Sequence, residues 1–204
     1  MEAGEFVGQL TAAMMLPPAP RHERLAELHE GLQARYRRAL RRITAETAAR
    51  PLRDGSDPRP VAQIVGHIAA WERFGILSAG DILAGIRSPR MMTGFGEYRE
   101  ADGETMAFAS IDEFNAYHAG KFAEWPWERL REFAEDTTSA IFALFTHPHL
   151  LNAGRLQQTA PTRMRLPGGV ILDDMTMGWS LWLIMLEHPA VEHVALLDEF
   201  GAEK

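Results

Sequence analysis

Val61-Ala-Gln-Ile64-Val65-Gly-His67-Ile68-Ala-Ala-Trp71-Glu72-Arg-Phe74-Gly75 is the stretch that decides the fold class. Val61, Ile64, Ile68, Trp71 and Gly75 recur three or four positions apart, a spacing that stacks side chains on one face of an α-helix. Val65 and Phe74 widen that stripe, so the helix buries a broad face and not a narrow seam. Turn-forming residues crowd positions 54–60, and Pro60 suits the first helical position because its missing N–H would have no partner there. The pattern carries on through Ile82 and Leu83.

Three more helices follow by the same reading. Upstream, Leu25, Leu28, Leu32, Tyr36, Leu40 and Ile43 form a stripe that predicts a helix over residues 21–50, ending before Pro51. Residues 1–20 show little pattern and close in Leu16-Pro17-Pro18-Ala19-Pro20, so they are expected to form an arm. Downstream, Ser110 with Glu113 matches a capping box. The helix it opens carries Phe114, His118 and Phe122, is interrupted at Trp125-Pro126-Trp127, and resumes with Leu130, Phe133, Thr137, Ile141 and Leu144 up to Pro148. Asp173 or Asp174 is expected to cap the last helix, whose apolar run covers residues 179–186, with a kink at Pro189 before Val191, Val194 and Leu197. Between these helices, residues 86–109 and 148–172 read as long loops, the second with a short hairpin around Gly168-Gly169. The expected architecture is all-α: an arm over residues 1–20 and an antiparallel four-helix bundle over residues 21–204.

Composition narrows the function. With 21 basic and 28 acidic residues among 204, the net charge is −7, and neutralising a phosphate backbone needs clustered Lys and Arg. Arg35, Arg37, Arg38, Arg41 and Arg42 do cluster, but they alternate with Tyr36, Leu40 and Ile43 as the solvated side of a helix would. Nucleic acid is therefore not an expected partner. No apolar run approaches the roughly 20 residues needed to span a bilayer, and the chain opens on Glu2 and Glu5, so a cytoplasmic protein is expected. The absence of cysteine excludes thiolate ligands, disulfides and Cys nucleophiles.

Phosphate-binding loops, nucleophile elbows and HExxH motifs are missing, which leaves histidine placement as the chemical signal. His67 lies on the inward stripe of its helix, where it serves either as a hydrogen-bonded core residue or as a metal ligand. His188 and His193 are five residues apart, about 140° out of phase on a regular helix. A kink or bulge at Pro189 would bring them together, and Glu192 offers a substitute carboxylate ligand four residues after His188. Otherwise they flank the kink, with Glu187 and Glu192 as surface residues. His118 shares the stripe of Phe114 and Phe122 and is placed to face His67; Trp71, Trp179 and Trp182 are candidates to line a pocket. His147 and His149 bracket a helix end, and His22 and His29 receive no role.

Taken together, residues 61–72, Asp81 to Gly85, Asp112-Glu-Phe-Asn115-Ala116 with the following Trp125-to-Leu144 stretch, and Glu187 to Leu197 resemble DinB-like proteins, in the branch of ClbS-like proteins and mycothiol-dependent maleylpyruvate isomerases. The likeness runs in order from about residue 21 to 200. It implies an up-down-down-up bundle, often a homodimer, in which one histidine of the second helix and two residues of the last hold a divalent metal, nickel or zinc. By position His67 matches the first ligand and His193 the last. The middle ligand position falls on Pro189, so His188 would serve from one residue away. The resemblance further implies a small-molecule ligand in a pocket with Trp71, Asn115, His118 and Trp182. The activity it implies is a metal-dependent thiol transfer or hydrolysis of a small electrophile. The alternative is a non-catalytic stress or detoxification bundle with a degenerate metal site.

Overall fold

The computed structural model describes residues 3–100, 103–166 and 169–202. The segment expected as an arm contains a helix, α1 (Ala3–Met14), whose Phe6, Leu10, Ala13 and Met14 are buried. Spaced three or four apart, they form a stripe over only three turns, short enough to be missed as a period. The prolines after it end α1 and then begin α2 (Pro18–Arg42): Pro17 stands at the cap and Pro18 in the first turn, where no amide hydrogen is needed.

Helix α2 stops earlier than its apolar stripe suggests. Ile43 is extended, and Thr44 starts a separate turn, α3 (Ala45–Ala48), by exchanging side-chain and backbone hydrogen bonds with Thr47. A hydroxyl that offers the backbone a local alternative ends a helix in this way. The carbonyl freed at Ile43 accepts the indole N–H of Trp127 at 3.0 Å.

Helix α4 (Val61–Leu83) begins behind Pro60 and buries Val61, Ile64, Val65, Ile68 and Phe74. The segment after it, expected as an open loop, contains a helical turn, α5 (Arg90–Thr93), and a small antiparallel pair, β1 (Tyr98–Arg99) with β2 (Thr105–Met106). Buried Asp81 holds it in place, accepting from the Arg90 backbone and Nε at 2.9 Å each and from Nη2 at 2.5 Å. Helix α6 (Ile111–Ala123) then starts at Ser110, whose hydroxyl accepts from the Glu113 N–H at 3.1 Å. The Glu113 carboxylate accepts from Ala109, one residue before the expected partner, at 2.7 Å. Behind Pro126 comes α7 (Trp127–Thr146).

Residues 148–172 are also more ordered than a loop. A turn of helix, α8 (Ala153–Gln157), is followed by β3 (Pro161–Arg165) and β4 (Ile171–Thr176), which pair antiparallel. This is the expected hairpin; Gly168 and its neighbour Pro167 lie outside the described residues. Asp173 and Asp174 fall within β4 and cap nothing. Helix α9 (Met177–Glu187) starts instead on partners far off in sequence: Met177 N–H donates to the Ala160 carbonyl at 2.9 Å and Gly178 N–H to the Thr159 hydroxyl at 2.7 Å. A π-helical turn (His188–Glu192) leads into α10 (Val194–Phe200).

In the bundle α4 packs along α7, α6 and α9, while α2 packs on α7 and α10. The core between them is rich in large rings, with Tyr36, Phe74, Phe114, Phe145, Trp179 and Trp182 almost fully buried. Gly75 permits the close approach of α4 to α9 and α7, since a Cβ there would run into the Met185 sulfur and lie 3.2 Å from Ile141 Cδ1. No helix among the described residues is long and apolar enough to cross a membrane.

Candidate metal centre

His67 projects from the second turn of α4 towards the last helical segment, and the local chemistry of Pro189 decides what it meets there. Proline has no amide hydrogen to offer the carbonyl four residues back. The chain accommodates this with a wider turn in which the His193 N–H donates to the His188 carbonyl, five residues earlier, at 3.2 Å. Under such i→i+5 bonding, residues five apart stand one above the other, so the spacing that separates His188 and His193 on an α-helix aligns them here. One ring nitrogen from each of His67, His188 and His193 lies within 4.8 Å of the others. His67 and His188 bring their Nε2 atoms to 3.0 Å, and the three ring centroids are 4.8 to 5.1 Å apart.

This donor set fits a divalent metal on three counts. Two nitrogens in a tetrahedral zinc shell stand about 3.3 Å apart, given Zn–N bonds near 2.05 Å, close to the His67–His188 separation. His193 Nε2 is buried and hydrogen-bonds to nothing among the described residues, a state that natural structures rarely leave unexplained. All three rings are also held neutral, the form that coordinates. Burial lowers His67 to about 4, aided by His193 and Arg59. Burial and Arg59 bring His193 to about 4. Burial, then His193, His67 and Arg59, push His188 well below its usual value.

Two cavities meet at this centre. One, of about 250 Å³, is lined by Trp71, Ile111, Asn115 and Ile184 together with His67, His188 and Glu192. The other, of about 240 Å³, is lined by Arg59, Gln63, His67, Asn115, Ala116 and Ala119. His67 and Asn115 belong to both. Asn115 is fixed by Trp71, whose indole N–H donates to its Oδ1 at 3.1 Å. An indole nitrogen can only donate, so the contact also settles which way the amide faces. The Glu192 carboxylate stays 3.9 Å from His188 Nε2, mostly exposed, and burial of its inner part raises its pKa.

The structure therefore gathers His67, His188, His193, Glu192, Trp71 and Asn115 around one site, and separates His118 and Trp182 from it. His118 is committed to the core beneath the β1–β2 pair, with Nδ1 on the Phe114 carbonyl at 2.9 Å and Nε2 on the Tyr98 hydroxyl at 3.2 Å. Trp182 is sealed between Trp179 and Phe145 and donates to His29 Nδ1 at 3.2 Å. That bond gives His29 a structural task, and burial lowers its pKa to about 3. Trp179 donates to Gln157 at 2.9 Å and also lies outside both cavities. Sequence reasoning missed Arg59 and Gln63. Gln63 lies four residues before His67, a helical signal that was available; Arg59 sits in a turn and had none.

No protein-family model and no curated protein matches the sequence. Among solved structures, the crystal structure of a histidine-to-alanine mutant of mycothiol-dependent maleylpyruvate isomerase aligns with a TM-score of 0.55 and 13% identity. The alignment takes in 94% of this chain and 63% of that one, so the chain spans less than two thirds of its neighbour. At that identity the likeness is one of fold: the chain shares the all-α, antiparallel four-helix bundle architecture of that structure.

Proposed function

We propose that the chain is a metal-dependent enzyme acting on a small electrophile by thiol transfer or hydrolysis, with one nickel or zinc ion held by His67, His188 and His193. The observation that carries this reading is the convergence of three neutral imidazoles, one with an orphaned buried nitrogen, at the meeting point of two cavities. Imidazole suits both metals, and an ion with three protein ligands keeps a position open for chemistry. When bound, such an ion supplies Lewis acidity to a thiol, a water or the electrophile itself. The chain's own residues do the rest. Trp71, Ile111 and Ile184 give one side of the site an apolar surface, Asn115 keeps an amide fixed where the cavities meet, and the Glu192 carboxylate is there to accept a proton.

The test is metal content. Full-length protein stripped with chelator and reloaded with zinc or nickel is expected to hold about one ion per chain, and His67→Ala is expected to hold none; elemental analysis of both gives the answer. A second reading, a non-catalytic binding bundle, is favoured by the 3.0 Å contact between His67 and His188, through which the two rings satisfy one another without an ion. Wild-type stoichiometry near zero would select it. We further propose a cytoplasmic homodimer that handles small molecules and not nucleic acid, with light scattering of the full chain as the check on assembly.

A further inference from the structure

We propose that the site is built for a monoanionic substrate, a carboxylate with an apolar body, whose head is bound by Arg59, Gln63 and Asn115 and whose body lies on Trp71. The inference rests on the proposed function only in taking the histidine centre as the place of reaction.

The smaller cavity contains unspent donors and no carboxylate. Asp57 takes the Nε of Arg59 at 3.0 Å and one Nη at 2.6 Å, which leaves the other Nη without a partner among the described residues. Trp71 takes Asn115 Oδ1, and the Nδ2 of Asn115 has no partner among the described residues. Gln63, one helical turn before His67, makes no side-chain hydrogen bond among the described residues. Three donor groups on a turn, α4 and α6 thus converge on one concavity, and an oxyanion satisfies such a set best, since charge-assisted hydrogen bonds to guanidinium are about twice as strong as neutral ones.

Asp57 engages only the Nε and one Nη of Arg59, so the remaining edge of the guanidinium is left for a ligand. Across the histidines the chemistry changes. Trp71, Ile111 and Ile184 offer apolar surface, and the one charge there, Glu192, repels a second anion. Head and body would therefore straddle the histidine centre, with the atoms between them nearest the reacting position.

The probes are 4-phenylbutanoate and its neutral amide, titrated into full-length protein, both metal-free and zinc-loaded, by calorimetry at pH 7.5. In metal-free protein, where no ion can bind the carboxylate directly, the acid is expected to bind about tenfold more tightly than the amide, the size of one good charge-assisted contact. Arg59→Gln should bring the acid down to the affinity of the amide and leave the amide unchanged, and Arg59→Lys should keep part of the preference. An acid that binds no better than the amide, binds unchanged to the Arg59→Gln protein, or fails to bind at all overturns the proposal. Zinc content measured on the same samples keeps the two readings apart. One ion per chain without acid preference sinks the substrate assignment alone, and acid preference without zinc sinks the metal alone.

Discussion

At the scale of single residues, the three histidines differ from free imidazole in a way that bears directly on metal binding. A proton and a metal compete for the same lone pair, so an ordinary histidine site releases its ion as pH falls through about 6.5. Here burial and the neighbouring Arg59 hold His67 and His193 to about 4, and His188 well below its usual value, so protons become effective competitors only well below the ordinary range. Zinc is accordingly expected to survive dialysis at pH 5.5 and to leave as pH approaches 4, measured by elemental analysis across a buffer series. Loss of half the ion by pH 6.5 would contradict the neutral, desolvated centre. Glu192 provides a separate readout. Its carboxylate lies beyond bonding distance of the histidines at 3.9 Å, so Glu192→Gln should leave zinc content intact while slowing turnover by about 10²-fold if the carboxylate accepts the proton.

At the scale of elements, the π-helical turn is the device that makes a five-residue spacing useful. It amounts to one extra residue in an α-helix, inserted at the proline. Deleting Pro189 leaves His188 and His193 four apart on a regular helix, still on one face, and the register of α10 beyond them unchanged. Such a protein is expected to keep about one zinc per chain. An alanine inserted after Val191 puts the pair six apart, about 120° out of phase on a regular helix, and should abolish binding; circular dichroism and elemental analysis of both variants decide the point. The same turn shows where the sequence could be read and where it could not. The stripes of α4 and α7 were legible because period and burial coincide, and His67 was legible as an inward residue on such a stripe. The pairing of His188 with His193 was legible only as a condition, since local spacing argued against it and the wider turn depends on what Pro189 denies the backbone. The β3–β4 hairpin was legible from its turn residues at Gly168-Gly169, whereas the strands themselves showed no period-two alternation, since only Met164 is buried in β3 and the buried positions of β4 are Leu172, Met175 and Thr176. Asp173 and Asp174 misled for the opposite reason: they look like caps, but the donors that open α9 are met by Thr159 and Ala160, partners that folding alone brings near.

At the scale of the whole molecule, stability depends on how tightly the bundle closes and on which buried groups it keeps uncharged. Close packing at Gly75 is a direct case: a Leu there must displace Met185 and Ile141, and overpacking of this kind costs about 1–3 kcal/mol, visible as a lower urea midpoint. Charge sets limits from both sides of the pH scale. His29, His67, His188 and His193 are kept neutral in the fold but take up protons near pH 6.5 when unfolded. Between that pH and about 4 the unfolded chain binds more protons, so stability falls as the solution is acidified. Glu72 acts in the opposite sense. Buried between α4 and α7, it accepts from the Thr137 hydroxyl at 2.8 Å, and burial raises its carboxyl from 4.5 to about 8 despite that bond. The folded protein therefore holds a proton that the unfolded chain gives up near pH 4.5, and stability falls as pH rises from there towards 8. The two effects bound a maximum near neutrality, and Glu72→Gln separates them. Glutamine preserves the shape and a hydrogen bond to Thr137 but has no charge to bury, so the variant should match the wild type near pH 5 and become progressively the more stable of the two up to pH 8, while the loss on the acid side stays as it was. Urea midpoints at half-unit intervals measure this, and a difference between the two proteins that does not grow with pH would show that Glu72 is ionised in the core.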